Sequence, residues 1–296
     1  MRLGYPCINT SLPTGSIKTF RLKSYSSERL AATVEANLTG LTDILEFNLA
    51  HGLLFFRISS QIIPFASHPI SRYPWQEWFR SRFNEIGRFI RAHGMRMSMH
   101  PDQFTVLNSL DEQVVEASIK ELEYHAELLG LLGLDDSHKV QIHVGGVYGD
   151  KEKSMERFVA RYEHLSDAVR KRLVIENDDR LFSLEDCLRI HEKTGLPIVL
   201  DVHHHRLLPS GGFDQRDAIR AASASWAPGD GPLIIDYSSQ QPGKRLGTHI
   251  ESIDLADFET FLQDSEGLDF DLMLEIKDKE HSALKALQAL RSAARL

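Results

Sequence analysis

Eight short apolar runs punctuate the chain, and between them lie stretches whose apolar positions recur every three or four residues. The runs are Arg2–Pro6, Leu53–Ser59, Met95–Met99, Val140–Val144, Leu173–Glu176, Ile198–Val202, Leu233–Asp236 and Phe270–Ile276. Each is of strand length, rich in β-branched or bulky residues and bounded by turn residues, whereas the intervening period is that of an amphipathic helix. The clearest helical pattern opens on a capping box from Ser109 to Glu112. It places Val115, Ile119, Leu122, Ala126 and Leu129 on one stripe and stops near Gly133. Further helices are expected near residues 28–50, 75–93, 152–170, 184–194, 214–224, 255–263 and 279–294. Eight strands alternating with eight helices call for a parallel sheet closed into a (β/α)₈ TIM barrel. The alternative, a doubly wound open sheet, lacks the glycine-rich phosphate loop that should follow its first strand.

A barrel of this kind takes roughly 250 residues, so 296 residues without a Gly/Ser linker or low-complexity tract read as one barrel domain, 1–296. Apolar residues at 42% and charged residues at 26% suit a soluble globular protein with a sizeable core. No segment approaches the roughly 18 apolar residues of a membrane span, and MRLGYPCINT has no apolar signal-peptide region. Two cysteines, Cys7 and Cys187, imply no disulfide framework, which makes the cytoplasm the expected compartment. The net charge of -8 conflicts with the basic surface usual for phosphate binding. Two or three divalent ions would add about +4 to +6 at one mouth and reverse the local field there.

The polar residues at the strand ends carry the functional signal. In order they are His100, His143, Glu176, Asp201, Asp236 and Glu275, and in a barrel all such ends converge on the C-terminal face. A carboxylate there loses hydration and several together repel, unless a cation sits among them. Imidazole nitrogens and carboxylate oxygens suit zinc, manganese or a related divalent ion. Asp201 and His204 stand three residues apart, where the strand is expected to pass into a loop, so both would face adjacent metals. His249 lies in the long connection after the seventh strand. His51, His93, His125, His138, His164, His191 and His281 are expected at helix surfaces or helix ends.

With these residues placed, the chain resembles the UV damage endonucleases, barrel enzymes similar to endonuclease IV. The resemblance runs nearly end to end. It is carried by Leu3-Gly-Tyr-Pro-Cys7, Phe56-Arg-Ile58, Ile63-Pro-Phe-Ala-Ser-His68-Pro69, Ser98-Met-His100-Pro101 with Gln103, and Ile142-His143-Val-Gly-Gly146 with Tyr148-Gly149. Glu176-Asn177-Asp178, Asp201-Val-His-His204, Ser239-Gln240, Gly247-Thr-His249 and Leu274-Glu275 complete it. It implies DNA-repair incision of damaged duplex DNA on the 5′ side of UV photoproducts, and in some members of abasic sites, leaving a 3′-hydroxyl and a 5′-phosphate. It further implies two or three divalent ions, manganese first and zinc or magnesium as alternatives. His100, His143 and Glu176 would hold one ion and Glu176 would bridge to a second. Asp201 and Glu275 would complete the second site, and His204 and His249 would hold a third. Glu176, Glu275 and His68, the last near the scissile phosphate, would be the catalytic residues. Gln103 and Phe104 would wedge into the lesion, with Tyr5 and Asn9 on the lesion side and Lys244 and Arg245 on phosphates. No membrane and no obligatory protein partner is implied, and the protein would join the nucleoid during repair.

One stretch departs from the pattern. Where the family carries Lys-x-His on the seventh strand, this chain has Ile234 and Asp236. Aspartate keeps an oxygen ligand and favours manganese or magnesium, but isoleucine keeps nothing polar. Two other functions stay open on the residues: a metal-dependent sugar isomerase or epimerase, which would need a small closed pocket, and a lesion-binding homologue with impaired catalysis.

Overall fold

The computed structural model describes residues 1–292. Strands β1 (Leu3–Pro6), β2 (Phe55–Ile58), β3 (Arg96–Met99), β4 (Lys139–His143), β5 (Leu173–Glu176), β6 (Ile198–Asp201), β7 (Ile234–Tyr237) and β8 (Asp271–Leu274) pair in sequence order, all parallel. β8 returns to β1, so the sheet closes and the open-sheet alternative is excluded. β5 coincides with its apolar run, β4 and β7 are displaced from theirs by one residue, and the other strands are shorter than their runs.

Alternate residues point into the barrel and build tiers. At the strand starts Arg96 donates to Asp271 (3.0 Å) and to the Pro232 carbonyl (2.6 Å). Lys139 reaches Asp230 (2.5 Å) and the Lys171 carbonyl (2.9 Å). Two residues further along, Phe55, Val174, Val199, Ile234 and Met273 form an apolar cluster separate from the main core. Two residues beyond that come Arg57, Glu176, Asp201, Asp236 and Glu275, at or within one residue of the strand ends, while Gln141 lies in the middle of β4 beside Val174. The main core lies outside the sheet, between strands and helices, and includes Phe83, Leu122, Phe158, Phe258 and Leu287.

The helices follow the expected spacing with instructive differences. Ser27–His51 is capped by Ser26 and ends on Gly52 at φ 81°, a left-handed position that glycine adopts without strain. The helix expected from Ser109 starts at Glu112 and is capped by Asp111 instead, while the Ser109 hydroxyl accepts from the Asp111 amide. The expected 75–93 helix is broken into Trp75–Trp78 and Arg80–Ala92, and the 152–170 helix into Lys151–Tyr162 and Asp167–Arg170. His125 and His138, expected at surfaces, are buried: His125 bonds back to the Glu121 carbonyl (2.6 Å), and His138 Nδ1 accepts from the Met97 amide (2.9 Å). Among the described residues no helix is long and apolar enough to cross a membrane.

Candidate metal centre

At the C-terminal face the side chains meet in linked groups. Ligand atoms of His100, His143 and Glu176 lie within 4.8 Å of one another, as do those of Glu176, Asp201 and His204, and those of Asp201, Asp236 and Glu275. Glu176 belongs to the first two groups and Asp201 to the last two, so the three form one chain. These candidate donors lie within a few residues of the strand ends, and the register sets His143 beside Glu176 and Asp201 beside Asp236.

Local structure positions the candidate donors. After Asp201 the chain does not enter a loop, as the sequence suggested, but the short helix Val202–Leu207, which Asp201 caps by accepting from the His204 amide (2.7 Å). One turn of that helix swings His204 back over Asp201, with its Nδ1 3.1 Å from Glu176 and 3.4 Å from Asp201 Oδ2. Asn177 clamps the ends of β5 and β6, donating to the Asp201 carbonyl (2.9 Å) and accepting from the Asp201 amide (3.0 Å). His100 Nδ1 lies 2.8 Å from the Pro101 carbonyl and His249 Nδ1 2.7 Å from the Glu275 carbonyl. A carbonyl can only accept, so both rings donate from Nδ1 and keep the Nε2 lone pair for a ligand.

The electrostatics are those of a site short of positive charge. Burial opposes ionisation of Glu176, yet His143, His100 and His204 hold its carboxyl well below the ordinary range. Burial pushes Asp201 well above its range; His204 opposes this, and the neighbouring carboxylates of Glu176, Glu275 and Asp236 add to it. Burial lifts Asp236 to about 7 against the pull of Arg57. Glu275, also opposed by burial, is drawn down to about 2 by Arg57. Burial works against the His204 imidazolium, but Asp201 and Glu176 raise it to about 11. Asp201 Oδ2 is buried and accepts no hydrogen bond among the described residues. Mixed imidazole and carboxylate donors, fixed tautomers and an orphaned carboxylate oxygen fit a divalent cation.

Not every expected residue joins this centre. His249 stands at its edge, its ring 6.0 Å from that of His204 and its Nδ1 3.8 Å from Glu275. His68 is exposed and lines a neighbouring cavity of about 420 Å³ with Ser60, Gln61, Asp102 and Glu121. Gln103 and Phe104 stand in the open groove of about 670 Å³ that also holds Arg57, His100, His249, Glu275, Lys277 and Lys279. Phe104 is 77% exposed. Lys244 and Arg245 are exposed on the connection that carries His249. Tyr5 and Asn9 are a correction: both are buried, at 0% and 2% exposure. Tyr5 points outward from β1, accepts from Asn9 Nδ2 (2.8 Å) and donates to Asn48 (2.7 Å), which leaves no free face for a lesion.

Sequence reasoning passed over Arg57 and Gln141 as working residues. Arg57 Nη2 donates to both oxygens of Asp236 (2.9 and 2.8 Å) and to Gln141 Oε1 (3.0 Å), and its Nη1 donates to Glu275. Gln141 Nε2 in turn donates to Asp236 (2.6 Å) and to Glu176. The available signal was polar side chains in the middle of apolar strands, FFRI and KVQIH. Tyr148 was likewise passed over. It lines a further cavity beside His100, His143 and Gln103, under the Arg157 guanidinium at 5.4 Å.

Known proteins share the sequence pattern and the barrel. The sequence model of the family described as UV-endonuclease UvdE matches residues 1–296. The UV DNA damage endonuclease of Clostridium perfringens is 37% identical over 292 residues, covering 98% of this chain and 71% of that protein. The crystal structure of SacUVDE superposes with a TM-score of 0.96 at 44% identity, covering all of both chains. Endonuclease IV from Thermus thermophilus, at 17% identity and a TM-score of 0.59 over 99% of this chain and 98% of its own, shares the fold. With a closed barrel, a groove above its strand ends and a match along its whole length, the chain belongs to the UV-endonuclease UvdE family of DNA-repair nucleases.

Proposed function

We propose that this chain, acting as one barrel domain over 1–296, is a divalent-metal-dependent endonuclease that incises duplex DNA immediately 5′ to UV photoproducts, and also at abasic sites. The products carry a 3′-hydroxyl and a 5′-phosphate. The observation that carries the reading is the sharing of Glu176 between two donor groups at the floor of an open groove beside Phe104. His100, His143 and Glu176 would hold one ion and Glu176, Asp201 and His204 the next, with Glu275 and His249 bordering them. Divalent ions of this kind, manganese first and zinc or magnesium as alternatives, supply Lewis acidity towards a phosphoryl oxygen and acidify water.

The residues themselves do the positioning. The Pro101 and Glu275 carbonyls hold the His100 and His249 rings in one tautomer, and Asn177 and the Val202–Leu207 helix keep Asp201 and His204 in register. Phe104 offers a ring face on which a displaced base can stack, and Gln103 offers an amide to the gap. A damaged step is weakly paired, so opening it costs less than opening a sound one. His68, in the adjoining cavity, is assigned to the phosphate side of the groove, and Lys244 to a phosphate contact. The substrate is damaged double-stranded DNA in the cytoplasm and nucleoid, and no protein partner is needed. A sugar isomerase would close its pocket over a small substrate, whereas Phe104 stands exposed at an open groove.

The test is incubation of purified, manganese-loaded protein with a duplex carrying one defined photoproduct. A nick directly 5′ to the lesion is expected. Binding without a nick would leave a lesion-binding protein, and neither binding nor cutting would overturn the assignment.

A further inference from the structure

Arg57 and a group of acidic residues occupy the same corner of the barrel mouth. Arg57 enters from β2, crosses the interior and ends against Asp236 on β7 and Glu275 beyond β8, and the residue as a whole is 3% exposed. Those two carboxylates, with Asp201, make the third of the donor groups. It differs from the other two in containing no histidine. Both oxygens of Asp236 already accept from the guanidinium, and one also accepts from Gln141. Beneath it lies Ile234, packed in the apolar tier with Phe55, Val174, Val199 and Met273, which supplies no further donor from below.

We propose that Arg57 is the resident cation of the Asp201–Asp236–Glu275 group, so that the centre takes two divalent ions, both around Glu176, and Asp236 serves the guanidinium instead of a metal. The inference rests on the metal-centre reading above and goes beyond it in fixing the ion count and the role of Asp236.

The chemistry is directional. A guanidinium stays charged at any pH a folded protein meets, and its fork matches a carboxylate on both oxygens. A metal ion bound to Asp236 would sit about 2 Å from an oxygen that Arg57 already approaches to 2.8 Å. Two like charges would then face each other in a buried space. The far end of Arg57 is held by Asp236, Gln141 and Glu275 together. The charge count agrees: Glu176, Asp201, Asp236 and Glu275 carry four negative charges when ionised, Arg57 carries one positive charge and two divalent ions carry four. One positive charge is left over, which one phosphodiester neutralises. A third ion would leave the loaded site strongly cationic even with substrate in place.

Metal content of the full chain, saturated with manganese and desalted, decides the matter, with titration calorimetry giving the affinities. Wild type is expected to hold two ions, and Asp236→Asn to hold two with affinities within about threefold of wild type. Arg57→Gln, which removes the resident charge, is expected to take up a third ion. Three ions in wild type, or loss of an ion in Asp236→Asn, would overturn the role given to Arg57. Should Arg57→Gln fail to fold, the Asp236→Asn result decides alone. A wild-type chain that takes up no manganese overturns the metal-centre reading itself, an outcome distinct from a count of three.

Discussion

Glu176 lies within reach of His100, His143 and His204 together, at 3.3, 3.7 and 3.1 Å. Replacing it with Gln keeps the shape and the bond from Gln141 but removes the charge those imidazoles face. Glu176→Gln is expected to abolish incision and, because both proposed ions lean on this carboxylate, to weaken damaged-duplex binding towards that of chelator-treated protein, as read by nicking and mobility-shift assays on the same preparation. Undiminished cutting would remove Glu176 from the centre of the scheme. Phe104→Ala is expected to weaken binding to damaged duplex by about 1–3 kcal/mol, with sound duplex less affected; fluorescence anisotropy on matched duplexes measures the difference. At this scale the clustering of His and carboxylate side chains at strand ends was legible because a charged or imidazole group that closes an apolar run loses hydration and must find a partner. Arg57 and Gln141 were not, because one polar residue inside a strand does not reveal which strand across the barrel will meet it. Tyr5 misled for a related reason: a tyrosine at a strand end looks like a rim aromatic until the pleat turns it outward onto Asn48.

Helices and strands set the conditions under which the residues can work, and one buried histidine makes that dependence measurable. His138, just before β4, accepts from the Met97 amide of β3 and so is held neutral. Burial lowers its pKa to about 4; Asp135 opposes, and Arg96 and Arg172 assist. In the unfolded chain the same group titrates near 6.5. Between those values the unfolded state binds more protons, so the stability present above pH 6.5 is lost as the pH falls towards 4. The loss from this group is on the order of 3 kcal/mol. His138→Asn keeps an acceptor for Met97 and cannot titrate; its urea midpoint is expected to fall less steeply than wild type from pH 6.5 to 4.5. Equal slopes would show that His138 does not carry the acid limb. The period of the apolar residues revealed the strands and most helices. It did not reveal the helix Val202–Leu207, which is a single run of six residues held by the Asp201 cap and tertiary contacts. Nor did it reveal the break after Trp78, where Phe79 leaves helical geometry without a side-chain cap, or the one after Tyr162, where Ser166 caps a new turn.

Across the whole molecule, a net charge of -8 must be reconciled with a polyanionic substrate. On the metal-centre proposal the attraction comes from the mouth of the barrel, where divalent ions would outweigh the clustered carboxylates. Chelator-treated protein is therefore expected to bind damaged duplex at least tenfold more weakly than manganese-loaded protein at equal ionic strength, as measured by anisotropy. Equal affinities would place the attraction elsewhere on the surface. That the chain is one barrel with its donors on one face was legible from the alternation of runs alone; the charge problem was visible too, but its solution depends on which strand ends meet. The base of the barrel bears on how that solution operates over time. Arg96, Lys139, Asp230 and Asp271 stopper the strand starts, and Phe55, Val174, Val199, Ile234 and Met273 make a dry septum above them. At the mouth the donors are open to the groove and to the cavity beside His100 and His143. Ions and water would enter and leave on that face, and a seated duplex would act as its lid. Ion exchange should accordingly slow to the rate of duplex departure, so a chelator added to the complex strips it no faster than the DNA leaves.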